Sequence, residues 1–341
     1  MTVYLGVDLH ARQQTVSYVN TEDGEVKRCE LYHQRDDVPA FYSKFEGAVF
    51  VGVEACGYTT WFEELMVELG HTILVGDAAE IRRLARRRQK NDRRDADLIL
   101  DLLVRNEFPR LYRYSSESRE LLRQLRFRHR LVRLRTSVYN SLHALSISAG
   151  LSLQAKLATA QGRTQLLQLR LSPVLEKQRG EWRSLADELS ERILAVERWL
   201  KAQARRDQRV CRVRTHPGVG LLTALCLVHT LGDITRFAST RKVTAYAGLD
   251  VVEHSSAARK AYGGISKAGS RLLRYLLVEA AQTAVRGDEQ LRSFYQRVMK
   301  RRGLAKAKVA VARKLLVRTF IMLRDEIDYA EFLRRGKRAA E

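Results

Sequence analysis

The sequence predicts an α/β domain followed by a longer, mainly helical part. Over residues 1 to about 77, short β-rich runs alternate with helical segments, an order that is typical of a layered α/β sheet. From residue 78 onward, apolar residues recur with the spacing of helices. With 341 residues and a hydrophobic fraction of 45%, the chain is long and apolar enough for two or three domains with their own cores.

The N-terminal strands are predicted from runs of β-branched and other apolar residues. Val3 to Asp8 is followed by Thr15 to Val19, and a turn at Asp23-Gly24 leads to Val26 to Tyr32, which indicates a hairpin. Ala48 to Glu54 is almost entirely apolar, as expected of a strand buried on both faces of a sheet. The predicted unit is completed by a helix that opens at Asp36, a helix at about Thr60 to Leu69 and a strand at His71 to Val75.

Two long helices are predicted between residues 116 and 206. On the first, from about Ser116 to Ser146, one side of the helical wheel is apolar and the opposite side is basic. The apolar side carries Leu121, Leu125, Val132 and Tyr139, and the basic side carries Arg123, Arg126, Arg130 and Arg133. A protein core would cover the first side, and phosphates would suit the second. Farther on, an a/d-like seam of Trp182, Leu185, Leu189, Val196 and Trp199, interrupted by Arg192, predicts a helical hairpin or short coiled coil.

The region from about Val210 is predicted to be mostly helical. His216 to Gly220, followed by an apolar helix, resembles the hairpin of a helix-hairpin-helix element. In such an element the glycines, here Gly218 and Gly220, let backbone N–H groups approach a phosphate. The sequence from 250 to 270 is polar and glycine-rich, and two helices are expected after it, at about 270 to 286 and 305 to 325. The predicted domains are therefore 1–115, 116–206 and 207–335.

The formal net charge of +22 predicts a polyanionic partner, and nucleic acid is the leading candidate. A run of arginines between residues 78 and 106, which includes Arg86 and Arg87, supports this expectation. A membrane surface is the rival, but it usually requires a basic amphipathic helix with an anchor, and the sequence suggests neither. Four scattered cysteines and the lack of a signal-peptide pattern favour a reduced, cytoplasmic protein.

Four acidic residues stand where an α/β sheet would bring them together. Asp8 ends the first predicted strand, Glu54 ends the buried one, and Asp92 and Asp95 lie three residues apart on a predicted helix. Carboxylates at strand ends converge on one sheet edge, and helix residues three apart share a face. Close carboxylates repel by about 4 kcal/mol per pair near a protein surface, so a divalent cation, Mg²⁺ or Mn²⁺, is expected to bind them and to assist phosphodiester displacement. Singly, each carboxylate could equally be a turn residue or an ion-pair partner.

A series of short motifs runs in order along nearly the whole chain. They are Gly6-Val7-Asp8, Val53 to Gly57, Lys90 to Ala96, Pro217 to Gly220, Arg236-Phe237, Tyr246 to Leu249 and Gly264 to Gly269. Each motif alone is weak, but the ordered set resembles the DEDD insertion-sequence transposases, the "one-ten" family, also described as bridge-RNA-guided recombinases. Three positions depart from the family pattern: Asn91 replaces a Thr, Val251 a Pro and Ala257 a Gly.

The resemblance implies an RNase H-like (RuvC-like) N-terminal domain, a coiled-coil insertion and a C-terminal transposase domain with a nucleophilic serine. In the family, that serine forms a phosphoserine bond with DNA, assisted by metal-bound carboxylates of a partner subunit. The register from Gly248-Leu249 places the nucleophile at Ser256, whereas counting back from the last motif can favour Ser255. Lys267, in that last motif, is an expected nucleic-acid contact. The implied partners are donor and target DNA, a non-coding guide RNA and further copies of the chain, as a dimer or tetramer.

Two other functions fit parts of the same pattern. A structure-specific junction endonuclease would hydrolyse DNA with the four carboxylates alone and leave no covalent protein–DNA species. A basic packaging protein would need no catalysis, but packaging gives no reason for an acidic residue, Glu54, at the end of an apolar strand.

Overall fold

A computed structural model describes residues 1–33, 37–85, 92–151, 153, 155–253 and 262–338 of the chain. For Asp92, Tyr262, Lys337 and Arg338 it describes the backbone alone. The chain forms two compact units, residues 1–113 and 114–341, and each is considered by itself.

The first unit is a mixed α/β sheet with helices, as predicted. Its strands are β1 (Thr2–Leu9), β2 (Gln13–Asn20), β3 (Val26–Tyr32), β4 (Ala48–Glu54) and β5 (Thr72–Gly76). Its helices are α1 (Asp37–Tyr42), α2 (Thr59–Glu68), α3 (Ala78–Leu84) and α4 (Asp92–Val104). The strand order is β3-β2-β1-β4-β5, with β2 antiparallel to both of its neighbours, β1 and β3, and with β4 and β5 parallel to β1. Every strand expected from the sequence is present within about two residues of its predicted ends.

The two faces of this sheet are covered in different ways. On one face, Leu5, Val7 and Val53 belong to a core that Phe62 and Met66 of α2 complete, and all five side chains are fully buried. On the other face, α4 lies directly on the backbone of β1 and β4. Alternation along the strands explains the difference, since successive residues point to opposite faces.

Glycines allow α4 to approach the sheet closely. A Cβ added to Gly6 of β1 would lie 2.3 Å from the carbonyl oxygen of Ala96, and one added to Gly52 of β4 would lie 2.6 Å from Leu103 Cδ1. Gly6 and Gly52 are paired in the parallel register of the two strands. The pair therefore forms a shallow seat that holds the helix at a fixed height over the sheet.

The second unit is mostly helical, as predicted. Its helices are α5 (Ser116–Ser148), α6 (Ala160–Leu167), α7 (Pro173–Arg206), α8 (Gln208–Val213), α9 (Leu221–Leu231), α10 (Thr240–Tyr246), α11 (Arg271–Gly287), α12 (Glu289–Arg302), α13 (Leu304–Arg324) and α14 (Tyr329–Arg338). A short antiparallel hairpin of β6 (Val251–Glu253) and β7 (Tyr262–Ile265) interrupts them. The sequence from 250 to 270 predicts only polar, glycine-rich chain, so the two strands are a correction.

Helices α5 and α7 pack along each other, but the predicted seam of α7 is partly wrong. Trp182, Leu185 and Trp199 remain 37%, 38% and 37% exposed. The side chains that pack against α5 are Ala186, Leu189, Ile193, Val196 and Leu200, which follow an uninterrupted heptad spacing. Arg192 therefore does not interrupt the seam, because the neighbouring Ile193 occupies that position.

A buried ionic group ties together the C-terminal helices. Asp288, which caps α12, and Arg318 of α13 form an ion pair with both side chains almost fully buried. Tyr329 Oη donates to Asp288 Oδ2 at 2.5 Å, and Arg318 Nη2 donates to Gln290 Oε1 at 2.8 Å. Burial alone would raise the pKa of Asp288, but the hydrogen bonds from Tyr329 and the Leu291 amide and the charge of Arg318 lower it. Breaking such a pair from one side would leave an uncompensated buried charge.

Within the ranges described above, none of the helices combines the length and the apolar character that crossing a bilayer requires.

Replacing Gly6 by alanine should destabilise the first unit, because the new Cβ would collide with the backbone of α4. Overpacking of this kind costs about 2 kcal/mol of unfolding free energy. Gly57→Ala is the matched control, since a Cβ at Gly57 would meet no atom within 4 Å. Urea unfolding followed by circular dichroism compares the two variants with the parent chain. Equal midpoints for both variants would contradict the close-contact explanation.

Candidate active site

Asp8 and Glu54 leave neighbouring strands at the same edge of the sheet. Val7 of β1 is paired with Val53 of β4 in a parallel register, so the next residue on each strand is an acidic one. Because side chains alternate, Asp8 shares a face with Gly6, and Glu54 shares a face with Gly52. That face is the one on which α4 lies. The strand-end placement predicted for both carboxylates is present.

Helix α4 runs antiparallel to β1 and begins at the edge where Asp8 lies. In the middle of the sheet, Ser17 Oγ donates to Asp97 Oδ1 at 2.7 Å. One helical turn earlier, Arg93 Nη2 lies 3.4 Å from Glu30 Oε1. Glu30 is level with Asp8, because Thr15 of β2 is paired with both. The first turn of α4 therefore lies level with Asp8.

The structure thus brings three of the predicted acidic residues to one edge. Asp95 is half-buried in the first turn of α4 and stands one turn before Ile99, whose side chain lies against Gly52. Asp95 is accordingly on the helix stripe that leads towards the end of β4, where Glu54 lies. Asp92 is the first residue of α4, and its side chain lies outside the described part.

Two neighbours of these carboxylates, a histidine and an arginine, were not predicted from the sequence. His10 Nε2 lies 3.2 Å from Asp8 Oδ2, and Arg82 Nη2 of α3 lies 3.4 Å from Glu54 Oε1. The side chains of Asp8 and Glu54 are 16% and 32% exposed, so their oxygens remain open to solvent on one side. Arg82 belongs to a run of arginines, and nothing in the run singled it out. The Asp-x-His spacing could have suggested His10.

The donor set at this edge suits a hard divalent cation, because it consists of carboxylate oxygens. Among the described side chains, however, no three acidic, histidine or cysteine residues are arranged closely enough to hold a metal ion. Asp8, Glu54 and Asp95 supply an edge with oxygen donors, and the fourth predicted ligand, Asp92, is not among the described side chains. Three carboxylates at one sheet edge agree with the use of a divalent metal, but the described side chains do not form a complete set of metal ligands.

The C-terminal motifs form two left-handed turns in close backbone contact in the second unit. Gly248, Lys267 and Gly269 have φ values of 66°, 58° and 66°, in the left-handed region. A Cβ at Gly248 would lie 2.1 Å from the carbonyl oxygen of Ala268, and one at Gly269 would lie 2.1 Å from that of Tyr246. The two glycines are thus required both by φ and by contact. The predicted nucleic-acid contact Lys267 has an exposed side chain, and its backbone N–H donates to Gly248 O at 3.1 Å.

These two left-handed turns hold both ends of the β6–β7 hairpin. Ser266, just after β7, donates a hydrogen bond from Oγ to Asp250 Oδ1, just before β6. Arg274 of α11 donates from Nη1 to the carbonyl oxygens of Ala247, at 3.2 Å, and of Ala268. The hairpin flanks residues 254–261, which lie outside the described residues. The predicted nucleophile Ser256 and its alternative Ser255 fall in that segment.

The Pro217 to Gly220 motif has two distinct glycines. Gly218 has φ 84°, and a Cβ there would lie 2.4 Å from the backbone nitrogen of Ala284 in α11, so close packing accounts for this glycine. Gly220 is exposed and is the N-cap residue of α9, and because it has no side chain it cannot accept a hydrogen bond from the first turn of the helix. Of the two glycines predicted to approach a phosphate, Gly220 leaves the start of a helix open, whereas Gly218 faces a neighbouring helix.

The four arginines predicted on the basic side of α5 are all exposed. They are Arg123, Arg126, Arg130 and Arg133, and the opposite side of the helix is buried by Leu121, Leu125 and Val138. The separation of an apolar and a basic side is therefore confirmed, while nucleic-acid binding by these residues stays a prediction. Arg86 and Arg87 lie outside the described residues.

Comparison with known proteins yields transposases for both units. A sequence profile described as the transposase IS116/IS110/IS902 family matches residues 211–296, and a DEDD transposase profile of the IS110 group matches residues 5–145. A probable family 20 transposase of Pseudomonas aeruginosa is 30% identical over 293 residues, which cover 83% of this chain and 84% of that protein. The transposase for insertion sequence element IS1111A of Coxiella burnetii is 29% identical over 275 residues, covering 77% and 74%.

These similarities define the class of protein, which is a DNA transposase of an insertion sequence. The chain belongs to the IS116/IS110/IS902 family, in its DEDD group. The family resemblance predicted from the ordered motifs is thereby confirmed.

Acid should destabilise the second unit through His216, which precedes the Pro217 to Gly220 motif. This side chain is buried, stacks on Tyr329 at 4.5 Å between ring centroids, and contacts Pro217 O through Nδ1 at 2.8 Å. Burial lowers the pKa of His216 from 6.5 to about 4, so the unfolded chain binds the proton more readily. The stability is fully present above pH 6.5 and falls by up to about 3 kcal/mol as the pH drops to 4.

His216→Asn should remove that part of the acid sensitivity, because the asparagine side chain can still donate to Pro217 O and does not titrate. Urea unfolding at pH 7 and pH 4.5 measures the loss for each protein. His143→Asn removes a half-buried histidine of α5 and serves as the control. An unchanged pH dependence in His216→Asn would rule out this assignment.

Proposed function

We propose that this transposase exchanges DNA strands through a phosphoserine intermediate, assisted by a carboxylate-bound divalent metal and directed by a guide RNA. The observation that carries the proposal is the convergence of Asp8, Glu54 and the first turn of α4 at one sheet edge. Acidic side chains that face one edge of a sheet favour a cation, because carboxylates brought together there would otherwise repel one another.

An RNase H-like arrangement of the first unit is supported by its topology. Three antiparallel strands form one side of the sheet, two parallel strands form the other, and β1 is central with an acidic end. A helix after the fifth strand then lies over β1 and β4. Together with the family's DEDD character, we take the domains to be residues 1–115 (RuvC-like), 116–206 (helical hairpin) and 207–335 (serine-bearing).

The metal ligands in this proposal are Asp8, Glu54, Asp92 and Asp95, and the ion is Mg²⁺ or Mn²⁺. Bound there, a divalent ion would supply charge stabilisation for phosphodiester displacement. The chain's own contribution is to hold the oxygen donors in place: β1 and β4 fix two of them by their register, and the glycine seat fixes α4. Arg82 offsets the charge of Glu54 when no cation is bound, and His10 Nε2 lies 3.2 Å from Asp8 Oδ2.

The nucleophile in this proposal is Ser256, with Ser255 as the alternative. The serine Oγ forms a bond to the phosphorus while the bond from phosphorus to one sugar oxygen breaks, and that sugar leaves with the serine proton. The rejoining step reverses this exchange with a new sugar hydroxyl, so no water is consumed. The two left-handed turns at Gly248 and Gly269 would fix both ends of the serine-bearing segment.

The proposed partners are donor DNA, target DNA and a non-coding guide RNA, and the active form is a dimer or tetramer in which carboxylates and serine come from different copies. The residues assigned to nucleic acid are Arg86, Arg87, Arg123, Arg126, Arg130, Arg133, Gly218, Gly220 and Lys267. The charge of +22 supports a polyanionic partner along much of the chain. A location in the bacterial cytoplasm, on the nucleoid, follows from these partners.

Ser256→Ala should abolish covalent protein–DNA adducts, because it removes the attacking oxygen and little else. The adduct is trapped on a denaturing gel after incubation with end-labelled donor DNA. Ser255→Ala is the matched control and should retain the adduct. If both variants still cleave DNA at the parent rate, the phosphoserine step is refuted, and hydrolysis by a structure-specific endonuclease explains the activity better.

Asp8→Asn and Glu54→Gln should each lower strand transfer by more than about 100-fold, since loss of even an outer partner of a metal ligand costs 10–100-fold. Both changes keep the size of the side chain and remove its charge. Glu64→Gln, on the exposed side of α2, is the control and should transfer strands like the parent protein. Transfer is measured as joined product per unit time with and without a chelator. Chelator-insensitive transfer would refute the metal assignment.

A further inference from the structure

A basic groove lies between α5 and the start of α11 within the second unit. Its volume is about 680 Å³. The lining side chains that carry the argument are Arg126, His129 and Arg133 of α5 and Arg271 and Tyr275 of α11. Arg126 and Arg133 were predicted to contact nucleic acid, whereas nothing in the sequence singled out Arg271 or Tyr275.

The charge of the groove is of one sign. Arg126 and Arg133 approach it from α5 and Arg271 from α11, and no acidic residue is among the described residues that line it. The same concentration of charge acts on His129: burial lowers its pKa first, and Arg133, Arg128 and Arg271 lower it further. Bringing three guanidinium groups around one groove without a carboxylate costs free energy, and a polyanion in the groove would offset that cost.

Tyr275 gives the groove an aromatic surface. Its side chain is 48% exposed, and its ring centroid lies 5.0 Å from that of His129, with the planes tilted by 52°. One end of the groove is the start of α11, a 17-residue helix whose N-terminal dipole also favours negative charge. Ser270 Oγ already accepts from Leu273 N at 3.2 Å, so the groove relies mainly on its side chains.

We propose that this groove binds an unpaired nucleic-acid strand, with its phosphates against Arg126, Arg133 and Arg271 and one base stacked on Tyr275. The proposal rests on the nucleic-acid face of α5 put forward above, and it extends that face to α11. A base inside a duplex is already stacked on both sides, so an exposed aromatic ring beside a phosphate track is useful only for an unpaired strand. The strand is either guide RNA or an opened DNA strand, which share this chemistry.

The test is fluorescence anisotropy of the full-length protein with labelled oligonucleotides of about 12 nucleotides. Single-stranded DNA, single-stranded RNA and a duplex of the same sequence are compared over a range of salt concentrations. Tyr275→Ala should weaken single-strand binding about tenfold without changing the salt slope, and Tyr275→Phe should restore it. Arg271→Gln should reduce the slope of log affinity against log salt by about 0.7, the value for one lost phosphate contact.

Arg198→Gln, which removes an exposed arginine of α7, is the matched control and should leave binding unchanged. Circular dichroism of each variant checks that the fold is retained. Tighter binding of RNA or of DNA supports the groove in either case and identifies the source of the strand. Duplex binding that is equally sensitive to Tyr275→Ala would overturn the proposal.

The proposals for the groove and for the basic face of α5 can be refuted separately. If Arg123→Gln and Arg130→Gln weaken binding while Arg271→Gln and Tyr275→Ala do not, the groove is refuted and the basic face of α5 remains. If none of the four variants affects binding, the groove is refuted and so is the nucleic-acid role of Arg123 and Arg130. Neither result touches the phosphoserine step, which the adduct assay measures separately.

Discussion

Helix α4 lies directly on the sheet because β1 and β4 each present a glycine to it at the same level. This backbone contact fixes the height and direction of the helix, and side-chain packing at Ile99 and Leu103 completes the fit. The consequence for the site is geometric. The acidic ends of β1 and β4 and the first turn of α4 are held at one edge of the sheet by backbone rather than by flexible side chains, so the carboxylates face this edge even though like charges repel.

Much of the first unit could be predicted from the sequence. Strand ends, and with them the positions of Asp8 and Glu54, follow from apolar runs whose length and alternation leave few options. The arginine that contacts Glu54 could not be predicted. The contact of Arg82 with Glu54 depends on where α3 lies after β5, and a run of similar arginines carries no signal that selects one of them. Asp92 and Ser256 remain predictions on sequence grounds.

The second unit shows where pattern alone is ambiguous. The apolar residues of α7 fit two heptad registers that share Leu189 and Val196, and only the surface of α5 decides between them. A large tryptophan weighs more in a sequence pattern than Ala186, yet the close approach of two helices favours the small residue. The hairpin of β6 and β7 could not be predicted because it depends on the two left-handed turns. Those turns form through contacts between Gly248 and Ala268, which are distant in sequence.

The predicted seam of α7 that does not pack against α5 contains two tryptophans, and their exposure affects the fluorescence of the protein. The protein has three tryptophans, and two of them, Trp182 and Trp199, lie on the outer side of α7 with more than a third of each indole exposed to solvent. Emission from these two rings therefore reports on the water around the hairpin more than on the packing of its core. Because the third tryptophan, Trp61 of α2, is 38% exposed as well, ultraviolet fluorescence of a Trp61→Phe variant can follow what happens on the outside of α7, including its coverage by another molecule.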